Sequence, residues 1–103
     1  MAVKATVVDG VRGATLEFGT VTSADPAAIA TDAEGNIVLT IAGADTSDLI
    51  FVTPRGLAAG LVVVEATVTA ANTVTLKALN ATETASIDDA ASSFDYMLVK
   101  VAA

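Results

Sequence analysis

Hydrophobic and polar residues alternate with a period of two along most of this chain. Over residues 36–42, Ile37, Leu39 and Ile41 interleave with Val38 and Thr40, the signature of a half-buried strand. Gly35-Asn36 before it and Ala42-Gly43-Ala44-Asp45 after it are turn residues. Residues 48–53 (Asp-Leu-Ile-Phe-Val-Thr) predict a short buried strand stopped by Pro54. Over 61–69, Val62, Val64, Ala66 and Val68 are set against Val63, Glu65, Thr67 and Thr69; over 73–79, Val74, Leu76 and Ala78 are set against Thr75 and Lys77. Only Ala70-Ala71-Asn72 separates these two segments, which predicts a hairpin. Residues 94–101 predict a last strand, apolar on both faces near its end. Residues 3–8 and 15–22 read as two further strands with Gly10 and Gly13 between them, and 23–34, with Asp25-Pro26, as a loop or one helical turn.

Composition sharpens this picture. Ala, Thr and Val make up about half the chain and aromatics only 4%, so a core must be built mainly from Val, Ile and Leu. Val and Thr branch at Cβ, which suits strands. The Ala clusters fall beside turn residues, as in Asp25-Pro26-Ala27-Ala28 and Asp89-Ala90-Ala91, and no segment carries a helical i, i+3, i+4, i+7 stripe. The expectation is an all-β fold: a small antiparallel β-sandwich or barrel of about seven strands, jelly-roll-like, forming one domain over 1–103. No linker or internal repeat divides it. A chain of this length buries roughly 60% of its unfolded surface, yet 53% of its residues are hydrophobic. Part of the apolar surface is therefore expected to meet another chain.

Charge narrows the partners. The net charge is -7, from 12 acidic and 5 basic residues, and Lys4, Arg12, Arg55, Lys77 and Lys100 are scattered. No binding to DNA or RNA is expected, and an acidic membrane surface would repel the chain. A mean hydropathy of +0.67 sets it apart from disordered acidic sequences. The longest uncharged apolar run, 56–64, is far short of the roughly 20 residues a membrane helix needs. The first residues lack the apolar core of a secretory signal, so the chain is expected to stay in the compartment where it is made.

Cysteine and histidine are absent, which removes thiol nucleophiles, disulfides, histidine bases and nearly all zinc, copper and haem sites. The close acidic pairs, Asp45 with Asp48 and Asp88 with Asp89, suit Asx-turns better than a calcium site. An EF-hand reading of Asp32–Ile37 fails because Ala30 and Ile41 fall where carboxylates are required. Ser86, Ser92 and Ser93 have no base at Ser-x-x-Lys spacing, and 56–60 lacks the Gly-Lys-Ser/Thr ending of a phosphate loop. Asn80-Ala81-Thr82 fits the glycosylation pattern and reads as a turn. With Tyr96 the chain's one tyrosine and no tryptophan, a carbohydrate platform is disfavoured. No enzyme, catalytic residue, metal or cofactor is expected.

From residue 37 onward the order of short motifs is familiar. Ile37-Val38-Leu39-Thr40-Ile41 leads into Gly43-Ala44-Asp45-Thr46-Ser47-Asp48, then Leu49-Ile50-Phe51-Val52-Thr53-Pro54, Leu57-Ala58-Ala59-Gly60-Leu61-Val62-Val63 and Val68-Thr69-Ala70-Ala71-Asn72-Thr73-Val74-Thr75-Leu76. Asn80-Ala81-Thr82, Ala85-Ser86-Ile87-Asp88 and Tyr96-Met97-Leu98-Val99 close the series. Over about two thirds of the chain this resembles a small β-sandwich module of tailed-bacteriophage structural proteins, notably capsid decoration (cement) proteins. The resemblance implies a non-enzymatic virion protein, made in the bacterial host cytoplasm and placed on the outer capsid surface. There it would bind the major capsid protein, bridge capsomers and stabilise the head, often as a homotrimer. The alternative is a trimeric head- or tail-fibre module with an attachment or receptor-binding role. Within this reading residues 1–13 form a capsid-contact arm carrying Val3, Lys4, Thr6, Val7 and Val8, or else an ordinary first strand. The oligomer interface is expected at Pro54, Arg55, Leu57, Leu61, Met97 and Val99, with Arg55 pairing a neighbour's acidic residue.

Overall fold

The computed structural model describes the backbone of residues 3–9, 12–82, 85–88 and 91–101, and side chains within 15–82, 85–88 and 91–100. The strands are β1 (Val3–Asp9), β2 (Arg12–Thr22), β3 (Glu34–Thr40), β4 (Leu49–Pro54), β5 (Leu61–Ala70), β6 (Thr73–Asn80) and β7 (Ser93–Val101). Six of them form two three-stranded antiparallel sheets, β2-β7-β4 and β3-β6-β5, and β1 extends the first at the β2 edge. The result is a small all-β sandwich. Its two ribbons, β2–β3–β4 and β5–β6–β7, wind together so that β2 lies beside β7 and β3 beside β6. This is a jelly-roll winding in abbreviated form.

The period-two pattern decides which side chains enter the core. Ile37 and Leu39 of β3 and Val74, Leu76 and Ala78 of β6 are buried and face Ile50 of β4 and Phe94 and Leu98 of β7. Residues 23–34 contain no helix; they form a loop in which Ile29 is buried and makes an antiparallel bridge to Ile87. Gly35 is required opposite it, because a Cβ there would meet Ile29 Cγ1 at 2.6 Å.

Strand β5 departs from simple alternation. Val63 pairs with Ala78 and Glu65 with Lys77, so Val64 is an extra residue in a bulge, and a second register shift falls between Val68 and Ala70. The bulge reverses the inward face partway along the strand. Leu61 and Val68 are buried, whereas Val62 and Val64, expected to share a face with Val68, are exposed.

Loops are tied down by asparagines. At the β5–β6 turn Asn72 adopts a φ of 61°. Its Oδ1 accepts from the Gly43 N–H at 2.8 Å, its N–H donates to Ala44 O at 2.9 Å, and its carbonyl accepts from the Ile41 N–H at 3.0 Å. Asn80 is fully buried at the end of β6. Its amide donates to Ile29 O at 2.9 Å and Ala85 O at 3.0 Å, and its Oδ1 accepts from the Thr82 N–H and hydroxyl at 3.0 and 2.6 Å. The glycosylation pattern at Asn80-Ala81-Thr82 is thus spent on an internal junction whose amide nitrogen does not reach solvent.

Asn80→Ala would remove the four side-chain hydrogen bonds of this junction and leave the Thr82 N–H without a partner, while Ile29 O and Ala85 O each keep one bond, from the Ile87 N–H and the Thr82 hydroxyl. Since a buried unsatisfied group costs about 1–3 kcal/mol, the variant is expected to lose about 2 kcal/mol of stability, read as a lower urea midpoint at constant slope. An unshifted midpoint would refute the junction role.

Candidate functional site

The two outer faces of the sandwich differ in chemistry. On the β3-β6-β5 sheet the outer surface mixes the polar residues Asn36, Thr40, Thr75, Lys77, Glu65, Thr67 and Thr69 with the exposed valines Val38, Val62 and Val64. Lys77 lies 4.0 Å from Glu65, and the Thr69 and Thr75 hydroxyls share a hydrogen bond at 2.9 Å. The outer surface of the other sheet is built from apolar rows. Strands β2 and β4 are both antiparallel to β7, so they flank it in the same direction. Leu16 and Leu49 both pair with Val99, Phe18 and Phe51 both pair with Met97, and Thr20 and Thr53 both pair with Asp95. Phe18 is 41% exposed, and Leu49 and Phe51 are each 54% exposed. In the backbone register of β1, Val3 pairs with Phe18 and Ala5 with Leu16.

This arrangement comes from a five-residue repeat, Leu-x-Phe-x-Thr, at 16–20 and again at 49–53. The repeat is too short to mark a domain duplication, and its meaning emerges only when both copies align on β7. Leu16, Phe18, Leu49 and Phe51 are therefore site residues that the strand pattern alone did not single out, although comparing the two Phe-centred strands would have found them.

Each row ends in polar chemistry. The Thr20 hydroxyl donates to Asp95 Oδ1 at 2.7 Å, and Arg55 Nε donates to Asp95 Oδ2 at 2.6 Å. The Thr20 hydrogen bond first, and the Arg55 guanidinium second, hold the Asp95 carboxyl below its ordinary value. Arg55 was expected to pair with a neighbour's acid, but its carboxylate comes from its own chain. At the other end of β7, Lys100 Nζ donates to Asp48 Oδ2 at 2.7 Å and to Gly43 O at 2.6 Å. The bond to Asp48 raises the Lys100 pKa. Asp48 also accepts from the Asp45 N–H at 2.9 Å and its own N–H donates to Asp45 O at 2.8 Å, so these two acids close a β-turn, in place of the expected Asx-turn, with the lysine paired to it. Among the described residues no three acidic side chains gather as metal ligands, and Asp89 lies outside those residues.

The expected interface residues do not form one surface. Met97 and Val99 lie on the apolar outer face, and Pro54 and Arg55 are exposed at its β4 end. Leu57 is half-buried against the core, and Leu61 is only 8% exposed within it. Leu61 is therefore corrected from interface to core, because the β5 register turns it inward ahead of the bulge. The side chains of Val3, Lys4, Thr6, Val7 and Val8 lie outside the described residues; their backbone forms β1, an edge strand paired to β2 from Val3–Phe18 through Asp9–Arg12. Ser92, which has no base at Ser-x-x-Lys spacing, is buried and its N–H donates to Ser23 Oγ at 3.0 Å. Glu17, on a segment expected to be a strand, is 5% exposed at the inward register beside Leu98. Its charge, together with burial as the larger cause, raises the Tyr96 pKa. The Tyr96 ring covers Gly19, where a Cβ would come within 2.7 Å of its hydroxyl oxygen.

The fold and this face define the chain as a small antiparallel β-sandwich with an unpartnered apolar sheet surface. No protein-family model, curated protein or solved structure matches it.

Because Asp95 is lowered in the folded state, its contribution to stability is complete above an unfolded pKa of about 3.9 and disappears as pH falls through the folded value. Thr20→Val removes the largest cause, so an NMR titration should show the Asp95 midpoint moving up toward the ordinary carboxylate value. A midpoint that does not move would contradict the assignment.

Proposed function

We propose that this chain is a non-enzymatic structural module of a bacteriophage virion, a capsid decoration protein that associates with copies of itself and binds the outer surface of the head. The observation that carries this reading is the contrast between the faces: on one sheet exposed valines are interspersed with threonines and charged residues, whereas on the other Phe18, Leu49 and Phe51 stand in contiguous apolar rows. Three strands at about 4.8 Å spacing and five residues at about 3.3 Å make this face roughly 14 by 17 Å, and exposed apolar patches of a few hundred Å² are often functional. The motif series from residue 37 to 99 supplies the phage setting.

Contact with the major capsid protein is assigned to β1. Of the four sheet edges, β5 is bulged and β4 is short and ends at Pro54, two common ways of blunting an edge. The β3 edge is occupied by the loop after β2, through the Ala24 N–H donating to Val38 O at 3.0 Å. β1 runs seven residues in unbroken register, and among the described residues no strand pairs with its outer side. Such an edge can add a strand from a partner. A module that binds only the intact shell stabilises it by linkage, in proportion to its occupancy.

The reading is tested by immunogold labelling of purified particles from the phage that encodes the chain. Label over the whole head is expected. Label confined to a fibre would replace decoration by the attachment role, and absence from particles would overturn the virion reading. Deleting residues 1–10 is expected to weaken head binding at least tenfold in a co-sedimentation assay, and unchanged binding would remove β1 from the contact.

A further inference from the structure

We infer that the apolar sheet face is a twofold, self-complementary interface, on which a second copy of the chain packs face to face with β7 lying over β7. The inference deepens the self-association just proposed and rests on that reading. It is carried by the bilateral pattern of the face. Across β7, left and right carry the same residue in each row: Leu16 and Leu49 about Val99, Phe18 and Phe51 about Met97, Thr20 and Thr53 about Asp95. A twofold interface uses one surface on both subunits, so a residue on one flank meets its counterpart on the other flank of the partner. Turning this face over about an axis along β7 lays Phe18 on a second Phe51, Leu16 on a second Leu49 and Thr20 on a second Thr53. Apolar rows then cover apolar rows, and polar covers polar. Turning it about an axis across the strands through the Phe row would lay Thr20 on Leu16 and bury hydroxyls against hydrocarbon, which is the less favourable choice. A threefold contact joins two different surfaces and makes no use of matching flanks.

Charge agrees with the geometry. Each chain carries a net charge of -7, so two copies repel through most of their surfaces. On this face Asp95 is the one carboxylate among the described residues, and it is already paired with Arg55 and Thr20. The copies can therefore approach here without bringing unpaired charge together. Sheets packed this way lie about 10 Å apart with strands near −30°, which keeps the central Phe18–Met97–Phe51 row in contact. The half-buried Met97 lies on the axis, where its flexible thioether can fill the space between the taller rings. The face is smaller than the roughly 800 Å² per partner of a standard interface, so the dimer is expected to be of micromolar strength and concentration-dependent.

The test uses light scattering over a concentration series, together with single-cysteine variants, which are unambiguous because the chain has no cysteine of its own. The mass should rise from 10.2 kDa toward twice that value. Met97→Cys, treated with a short bismaleimide whose arm spans the roughly 10 Å between the sheets, should form a covalently linked dimer, because a residue on a twofold axis meets its own copy; Thr75→Cys on the opposite sheet should not. Phe51→Asp, an exposed position, should hold the mass at that of one chain while the circular dichroism melt stays cooperative. A mass of three chains would overturn the twofold arrangement and leave self-association standing. A single-chain mass at concentrations up to about 1 mM, far above a micromolar dissociation constant, would overturn both. A dimer linked through Thr75→Cys but not Met97→Cys would place the contact on the other sheet and overturn the inference.

Discussion

The register of β4 against β7 is the constraint on which the rest of the molecule depends. One strand serves two surfaces: Phe94 and Leu98 fill the core while Met97 and Val99 floor the outer face. β4 is held to it by an ion pair at each end, Lys100 to Asp48 before the strand and Asp95 to Arg55 after it. The two differ in strength. The side chain of Asp48 is 4% exposed and accepts a backbone N–H as well, so losing Lys100 would strand a buried carboxylate; the Arg55 pair is largely solvated and acts mainly as a position marker. A slip of one residue would turn Leu49 and Phe51 into the core and Ile50 out to solvent.

The interior and exterior are thereby allotted to different residue classes. The core is aliphatic apart from Phe94, with β-branched and leucine side chains from both sheets. Aromatic area is placed outside, on Phe18 and Phe51. Such placement gives up burial within one chain, since a phenylalanine carries among the largest apolar areas of any side chain. Loss of burial on that scale is recovered only where the rings are covered by another surface.

Much of the fold was legible in the alternation of single residues. Ile37, Leu39, Val74, Leu76 and Ala78 all face inward as their spacing requires, and the hairpin through Ala71-Asn72 forms where the two runs meet. The strand pattern failed at β5, because a bulge is a pairing event between strands and leaves no trace in the periodicity of one of them. The site was only partly legible. Met97 and Val99 were visible because their strand is apolar on both faces near its end, but Leu61 was indistinguishable from a surface leucine until its register was known. Arg55 and Asp95 are forty positions apart, and nothing local announces that they meet. The two Leu-x-Phe-x-Thr segments lie in plain view, yet they become equivalent only because β2 and β4 run parallel on opposite sides of a shared neighbour.

The same placement governs how the sandwich answers to force. In an antiparallel ladder the hydrogen bonds lie across the strands. β7 is paired along both sides, from Thr22–Ser93 to Ala14–Val101 with β2 and from Pro54–Phe94 to Leu49–Val99 with β4. Tension directed along β7 against its neighbours therefore strains both ladders in shear, and the bonds resist together. Tension that pulls the Val3 end of β1 away from β2, across the strands, peels that ladder one pair at a time. The molecule is mechanically anisotropic, stiff along its central strand and compliant at its outermost edge.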